Sequence, residues 1–436
     1  MRLLVTNTRT AQAYAVIRAL RPYAELIVAT VAGPRPLGFW PTCSAAYSRL
    51  VDRRCKVPDP EGDWHEGHIQ ASNTEREQAF IDAMLRVCER EKIDTIFPSD
   101  DAWVYVLSKN TDVFARSGVL IPIPDYATVI KPIDKYRTVR CAEEVGFPAP
   151  RTYLPENEAD VRRIAGELGP PWMIKPRFTS GGRGMAVVDD IDDLVRRTRA
   201  IEQRHSMPII QEYIPGRGRQ NFYLILDKSG EVWSVFTPAV VRVGGRVLRN
   251  DTGACISAPL HPLTEKAISL VRHMGWWGGA TVQTKLDARD GQFKLMEVNA
   301  RLGAALWKRT ELGMNEPLKC LKIARGESRE PDSSYALGTL LLDPIEDVVN
   351  FVAELLDLVA HRFRTSVAGM SSIDPSSPPD TMRKILAAYR QQYFSDADRL
   401  YCQYVRYGIN DPLPALIWTS KVLGKHSLKK MKGLGR

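Results

Sequence analysis

Three places in this chain combine residue types and spacing that suit work on a phosphorylated ligand. Trp172-Met173-Ile174-Lys175-Pro176 is an apolar run that ends in a single positive charge, and Thr179-Ser180-Gly181-Gly182-Arg183-Gly184 follows at once. A turn without Cβ atoms at Gly181, Gly182 and Gly184 lets backbone N–H groups approach phosphate oxygens, and Lys175 adds a point charge to the same place. Further on, Pro208 to Gly216 reads as a strand ending in Glu212-Tyr213-Ile214 and a Pro-Gly turn. Its end offers backbone donors and acceptors, apolar faces and a carboxylate to a flat base such as adenine. Finally, Ala280–Asp287 and Phe293–Arg301 alternate as two strands, joined by a turn containing Asp290-Gly291. Alternation puts Gln283, Glu297 and Asn299 on one face, with Arg301 just beyond. These are hard oxygen ligands for Mg²⁺ between phosphates, and the arginine suits the charge of a phosphoryl group in transfer.

Other residues have two open readings. Arg242, Arg246 and Arg249 sit on a hairpin in the same region, where they either bind a substrate carboxylate bidentately or form a solvated face. Ser99-Asp100-Asp101 follows the strand Ile93–Phe97, so these residues either cap the next helix or stand at the carboxyl end of a parallel sheet, where ligands gather.

The elements that position these residues follow from periodicity. Leu3–Thr6, Glu25–Ala29 and Ile93–Phe97 read as strands, with helices over Ala11–Leu20 and Glu75–Glu91, the alternation of a parallel α/β sheet. No G-x-G-x-x-G follows the first strand, which disfavours a dinucleotide-binding Rossmann site. Prolines 122, 124, 132, 148 and 150 surround one helix over Asp134–Glu144 and mark a boundary or hinge. A second α/β module runs on to a composition shift near Pro331. Beyond it, Ile345–Phe363 and Thr381–Tyr393 have helical spacing.

With 436 residues, 44% hydrophobic and 25% charged, the chain has the composition of a globular protein of about three units. The formal net charge of +9 raises the question of nucleic acid, yet Lys421–Arg436 carries six of the excess charges and no acid. No nucleic-acid recognition motif accompanies the charge. The tail adjoins Leu413–Trp418 and is either a peripheral membrane contact or a frayed terminus. Seven scattered cysteines without a CxxC pair indicate free thiols in a reducing compartment, hence the cytoplasm. The N-terminal apolar run is too short for a signal peptide and reads as a strand.

Taken in order, Asp134-Lys135, Lys175, the Ser-Gly-Gly-x-Gly loop, Gln211-Glu212-Tyr213-Ile214 and Glu297-Val298-Asn299-Ala300-Arg301 resemble the ATP-grasp enzymes. The resemblance is closest to the branch of carbamoyl-phosphate synthase large subunits, biotin carboxylases and D-aspartate ligases, and covers residues 1 to about 325. It implies an α/β and α+β architecture: an N-terminal parallel-sheet (pre-ATP-grasp) domain over 1–120, a two-lobed ATP-grasp module over 121–328 with its lid lobe at about 150–215, and a mostly helical extension over 329–436. By position it makes Lys135 and Lys175 the lysines of the ATP phosphates, and Gly181, Gly182 and Gly184 the loop over them. Glu212, Tyr213 and Ile214 become the adenine segment, Gln283, Glu297 and Asn299 the Mg²⁺ (or Mn²⁺) ligands, and Arg301 the arginine beside the γ-phosphate. Two departures stand out. Gln283 replaces the family's usual glutamate, and no acid follows the adenine segment to hold the ribose, which leaves Gln220 as the candidate. The activity implied is an ATP-dependent carboxylate–amine ligase using small-molecule substrates, with a homodimer possible. The alternatives are a carboxylase or carbamoyl-phosphate-synthase-like enzyme and an ATP-responsive binding protein without turnover.

Overall fold

The N-terminal alternation folds into a four-stranded parallel sheet of β1 (Arg2–Val5), β2 (Leu26–Val31), β3 (Arg53–Lys56) and β4 (Thr95–Phe97), in the order β3-β2-β1-β4. In the computed structural model the described residues are 1–32, 43–65, 69–216, 218–244, 251–303, 305–329, 335–344, 398–402, 410–414 and 416. The helices Ala11–Leu20 and Glu75–Glu91 start and stop where their spacing places them, for local reasons. Thr10 caps the first, and Thr74 with Glu77 forms a reciprocal capping box on the second.

The segment expected to form the lid lobe folds as a second four-stranded sheet, β5 (Thr152–Tyr153), β6 (Trp172–Lys175), β7 (Ala186–Val188) and β8 (Ile209–Glu212), ordered β5-β8-β6-β7 with antiparallel pairing. The helices Glu158–Leu168 and Ile191–Glu202 cover it, closing a core of its own around Val161, Ile164, Trp172, Ile174, Leu194 and Ile210. The central sheet is antiparallel: β9 (Arg219–Leu226), β10 (Val232–Phe236), β13 (Gly278–Leu286) and β14 (Phe293–Asn299), ordered β10-β9-β13-β14.

Between them in sequence lie β11 (Ala239–Gly244) and β12 (Asp251–Ile256), which pair with β15 (Leu340–Leu342) and β16 (Arg399–Tyr401). The described parts of the C-terminal extension therefore contribute strands. The helical patterns expected over 345–363 and 381–393, and the basic tail from 421 on, lie outside the described residues.

Packing crosses residue 120 without a break. One apolar cluster joins Leu4, Ile96 and Trp103 to Phe222, Leu224, Val282 and Leu295, and another joins Leu3, Tyr14 and Ile17 to Tyr223, Ile225, Leu321 and Leu341. The parallel sheet and the central sheet are thus held by shared cores, which fixes the end of one over the face of the other. None of the seven cysteines is in a disulfide and six are buried. Among the described residues no helix is long and apolar enough to cross a membrane.

Candidate active site

The central sheet prints the site. Directly opposed residues share a face, and the register of β9, β13 and β14 sets Arg219, Lys285 and Lys294 in one row. Asn221, Gln283 and Glu297 form the next row, and Tyr223, Thr281 and Asn299 the third. The expected sharing of a face by Gln283, Glu297 and Asn299 is therefore present. A register shift between Gln283 and Thr284 absorbs the extra residue Met296 in β14 and keeps the apolar Leu295 on the opposite side, in the core. The connection between β13 and β14 turns at Gly291, whose φ of +71° few other residues adopt.

Two lysines face this sheet from other elements. Lys175 is the last residue of β6, 5% exposed, because the strand that carries it is buried along its whole length. Lys135 opens the helix Lys135–Glu144, and its Nζ donates to the carbonyls of Thr179 at 2.5 Å and Arg177 at 3.3 Å. Asp134 caps that helix and forms an ion pair with Arg177 at 2.5 Å, which ties the start of the glycine loop to Lys135. Burial, and then the neighbouring Lys135, push Lys175 down to about 7, against an attraction from Glu297. Burial also lowers Lys135, and pushes Arg219 down to about 10. Like charges gathered out of water in this way are unfavourable until an anion joins them.

The loop between β6 and β7 holds its three glycines at φ of +66°, +71° and +70°. At Gly184 a Cβ would also lie 2.8 Å from Cγ of Pro176, so the turn closes tightly on the residue after Lys175.

At the other end of the face, Arg301 donates to Oδ1 of Asn299 at 3.1 Å and pairs with Asp101 at 2.9 Å, while Asn299 donates to Oε1 of Glu297 at 3.3 Å. Asp100 caps the helix Asp101–Ser108 through the Ala102 N–H at 3.0 Å, and Asp101 reaches across to Arg301. The cap reading thus holds for Asp100, while Asp101 stands at the carboxyl end of the parallel sheet in contact with Arg301. Desolvation, with Asp101 and Glu61 nearby, raises Asp100 to about 6. Burial weakens the charge on Arg301, but Asp101 and Asp100 together hold its pKa above the ordinary value.

Several buried polar atoms on and around this face have no partner among the described residues: Arg219 Nε, Asn221 Oδ1, Thr281 Oγ1, Arg301 Nε and Thr179 Oγ1. Unmet donors beside buried cations suit a polyanion, and the oxygens of Glu297, Asn299 and Gln283 suit a hard divalent cation, so the residues present fit Mg·ATP.

The segment expected to hold adenine differs in detail from expectation. The Glu212 carboxylate accepts from the Arg151 N–H at 3.1 Å and pairs with Arg289 at 2.7 Å, so protein groups occupy it. The Ile214 carbonyl accepts from Lys285 Nζ at 2.6 Å, and that ammonium also lies 5.0 Å from the Tyr213 ring centre. Gln220 is misplaced for a ribose. It lies on the core face between Arg219 and Asn221, and its Nε2 donates to the carbonyls of Asn221 and Pro238 at 3.1 and 3.2 Å. Arg242 falls on β11 opposite Ala254, but its side chain, with Arg246 and Arg249, lies outside the described residues.

The sequence reading overlooked Arg219, Asn221, Thr281 and Lys285. The available signal was the same two-residue alternation that singled out Gln283. It runs Arg219-Asn221-Tyr223 along β9 and Thr281-Gln283-Lys285 along β13.

Residues 134–328 match the family described as carbamoyl-phosphate synthase L chain, ATP binding domain. The N-terminal section of the carbamoyl phosphate synthase large chain of Methanopyrus kandleri is 24% identical over 243 residues, covering 51% of this chain and 42% of that one. A D-alanine–D-alanine ligase of Ectopseudomonas mendocina is 30% identical over 179 residues, covering 38% of this chain and 55% of that one. The chain thus spans about half the length of these curated relatives. Among solved structures, a Campylobacter jejuni biotin carboxylase complexed with β,γ-ATP has a TM-score of 0.60 at 17% identity, covering 78% of this chain and 74% of that one. The biotin carboxylase domain dimer of Hydrogenobacter thermophilus 2-oxoglutarate carboxylase, bound to MgADP and bicarbonate, matches equally, covering 78% and 73%.

Proposed function

Because the chain carries an ATP-grasp module, we propose that it is an ATP-dependent carboxylate–amine ligase that forms an amide and releases ADP and phosphate. The observation that carries this reading is the convergence of Lys135, Lys175, Arg219 and Arg301 on a face whose hard-oxygen set is Glu297, Asn299 and Gln283. Four buried cations around one such set form a receptor for a metal-bound triphosphate rather than for a neutral ligand.

In the first step a carboxylate oxygen of the substrate attacks the γ-phosphorus, and the bond from that phosphorus to the bridging oxygen of ADP breaks. Lys135 and Lys175 hold the phosphate chain in line, and Arg301 faces the phosphoryl group as its charge develops. Glu297, Asn299 and Gln283 would hold Mg²⁺, which supplies Lewis-acid polarisation of the phosphate oxygens. Asp101 keeps Arg301 oriented through their ion pair. In the second step an amine nitrogen attacks the acyl carbon of the acyl-phosphate, phosphate leaves, and the nitrogen gives up a proton. The glycine loop excludes water, which would otherwise hydrolyse the acyl-phosphate.

ATP-dependent hydroxamate trapping across a panel of carboxylates tests this reading, because hydroxylamine intercepts the acyl-phosphate whatever the natural amine is. Hydroxamate formed with ADP is the expected result, and ADP release that only bicarbonate stimulates would replace it with a carboxylase or carbamoyl-phosphate reaction. The relatives among carbamoyl phosphate synthases and biotin carboxylases favour that second reading. Tight ATP binding without ADP release under any condition would make the protein an ATP-responsive binder. The small-molecule substrates, a homodimer and a cytoplasmic location belong to the same proposal. The buried thiols, none in a disulfide, support the last of these.

A further inference from the structure

Lys135 opens one helix, and the far end of that helix carries groups that neither step of the reaction uses. Cys141 and Glu144 lie three residues apart on Lys135–Glu144 and so share a face. His273, the last residue of the helix Thr264–His273, meets them from the neighbouring element. The Cys141 sulfur, a Glu144 carboxylate oxygen and a His273 ring nitrogen all lie within 4.8 Å of one another. The closest pair is Nε2 of His273 and Oε2 of Glu144, at 2.6 Å. At 1.5 Å of rise per residue, Glu144 stands about 14 Å along the helix axis from Lys135, which separates this group from the phosphate lysines.

A thiolate, an imidazole and a carboxylate are ligand types that Zn²⁺ takes, at about 2.0–2.3 Å, and around one tetrahedral ion they stand about 3.3–3.8 Å apart. The three atoms are therefore within roughly 1 Å of a ligated set. Cys141 is half-buried and packs against the larger apolar cluster, which holds the soft ligand still, whereas Glu144 and His273 are exposed and leave the other side to solvent. The backbone favours a cation at the same place. Both helices have ten residues and end here, so the partial negative charges of two C-termini meet. Each end already draws an ammonium: Lys131 Nζ donates to the Met274 carbonyl at 3.0 Å, and Lys266 Nζ to the Gly146 carbonyl at 3.2 Å. The adjacent carboxylate, Glu143, is engaged by Arg140 at 2.8 Å.

We propose that Cys141, Glu144 and His273 form a Zn²⁺ site, completed by water, that ties the helix of Lys135 to the helix Thr264–His273. Binding requires the Cys141 thiol to give its proton to solvent and the ligating nitrogen of His273 to be unprotonated. The site stands independently of the ATP reading. Co²⁺ titrated into the reduced, chelator-treated full chain reads it, because only a thiolate ligand produces a sulfur-to-cobalt charge-transfer band in the near ultraviolet. An ion held by the oxygens of the nucleotide face produces none. One equivalent of Co²⁺ should develop the band, and Zn²⁺ should remove it. Cys141→Ser should abolish the band, and His273→Ala and Glu144→Gln should each weaken binding at least about tenfold. Glu143→Gln, which changes the carboxylate held by Arg140, should leave binding unchanged. Zn²⁺ should also raise the unfolding temperature of the wild type and not that of Cys141→Ser. A wild type without the band, a band that survives in Cys141→Ser, or unchanged affinity in His273→Ala would overturn the proposal.

Discussion

Lys175 should destabilise the empty protein, and replacing it should separate stability from function. Its ammonium is 5% exposed and titrates near 7, against 10.5 for a free lysine, because burial and the neighbouring Lys135 disfavour the charge. At about 1.4 kcal/mol per tenfold change in protonation constant, that displacement corresponds to about 5 kcal/mol of strain at and below neutral pH. The sign follows from linkage: between about 7 and about 10 the unfolded lysine binds a proton that the folded one lacks, so this residue makes stability rise with pH across that window. Lys175→Met keeps the length and apolar contacts of the side chain while removing the charge. The variant should be more stable than the wild type by about 2 kcal/mol or more at pH 7, allowing for imperfect repacking. The gap should shrink as pH approaches 10. Urea unfolding at pH 7 and pH 9.5 reads both quantities. Nucleotide binding gives the complementary half of the test. Phosphates restore the ammonium, so the wild type should take up a proton on binding ATP at pH 8, seen calorimetrically in two buffers of different ionisation enthalpy. The variant should bind weakly and show no such uptake from this residue. A Lys175→Met protein that is less stable at pH 7, or a wild type that binds ATP without proton uptake, would refute the argument.

Three other outcomes follow from the geometry. Glu297→Gln should abolish the metal dependence of nucleotide binding and lower hydroxamate formation by at least about 100-fold, because it removes the only formal negative charge among the three proposed metal ligands. Asp101→Asn leaves Arg301 without its ion-pair partner, so turnover should fall about tenfold while the dissociation constant for ATP stays the same; a change confined to binding would contradict the positioning role. Gly184→Ala must adopt φ near +70° and also meet Pro176 Cγ, whereas Gly181→Ala meets nothing within 4 Å. Both should weaken nucleotide binding in a fluorescence titration, each paying about 1 kcal/mol or more for the backbone, and Gly184→Ala should be the more severe.

What was legible in the sequence was whatever depends on neighbours along the chain. Ala11–Leu20 and Glu75–Glu91 have the limits their spacing and caps dictate, since capping and 3.6-residue periodicity are local properties. Lys175 was recognisable because a lone charge ending a buried strand has to face something polar. Gln283, Glu297 and Asn299 were recognisable because alternation has a period of two. Strand register and cross-domain contact are different, because they depend on which segments meet. Nothing between residues 216 and 221 reveals that Arg219 stands in a row with Lys285, or that Gln220 turns into the core, until β9 is set against β13. Asp101 and Arg301 lie 200 residues apart, and their contact exists only because shared apolar clusters hold the end of the parallel sheet over the central one. The residue types, their order and the chemistry they permit were thus determined by the sequence alone. Which cations gather around Glu297 was decided only by the tertiary structure, because burial and pairing across strands set the charge balance of the site.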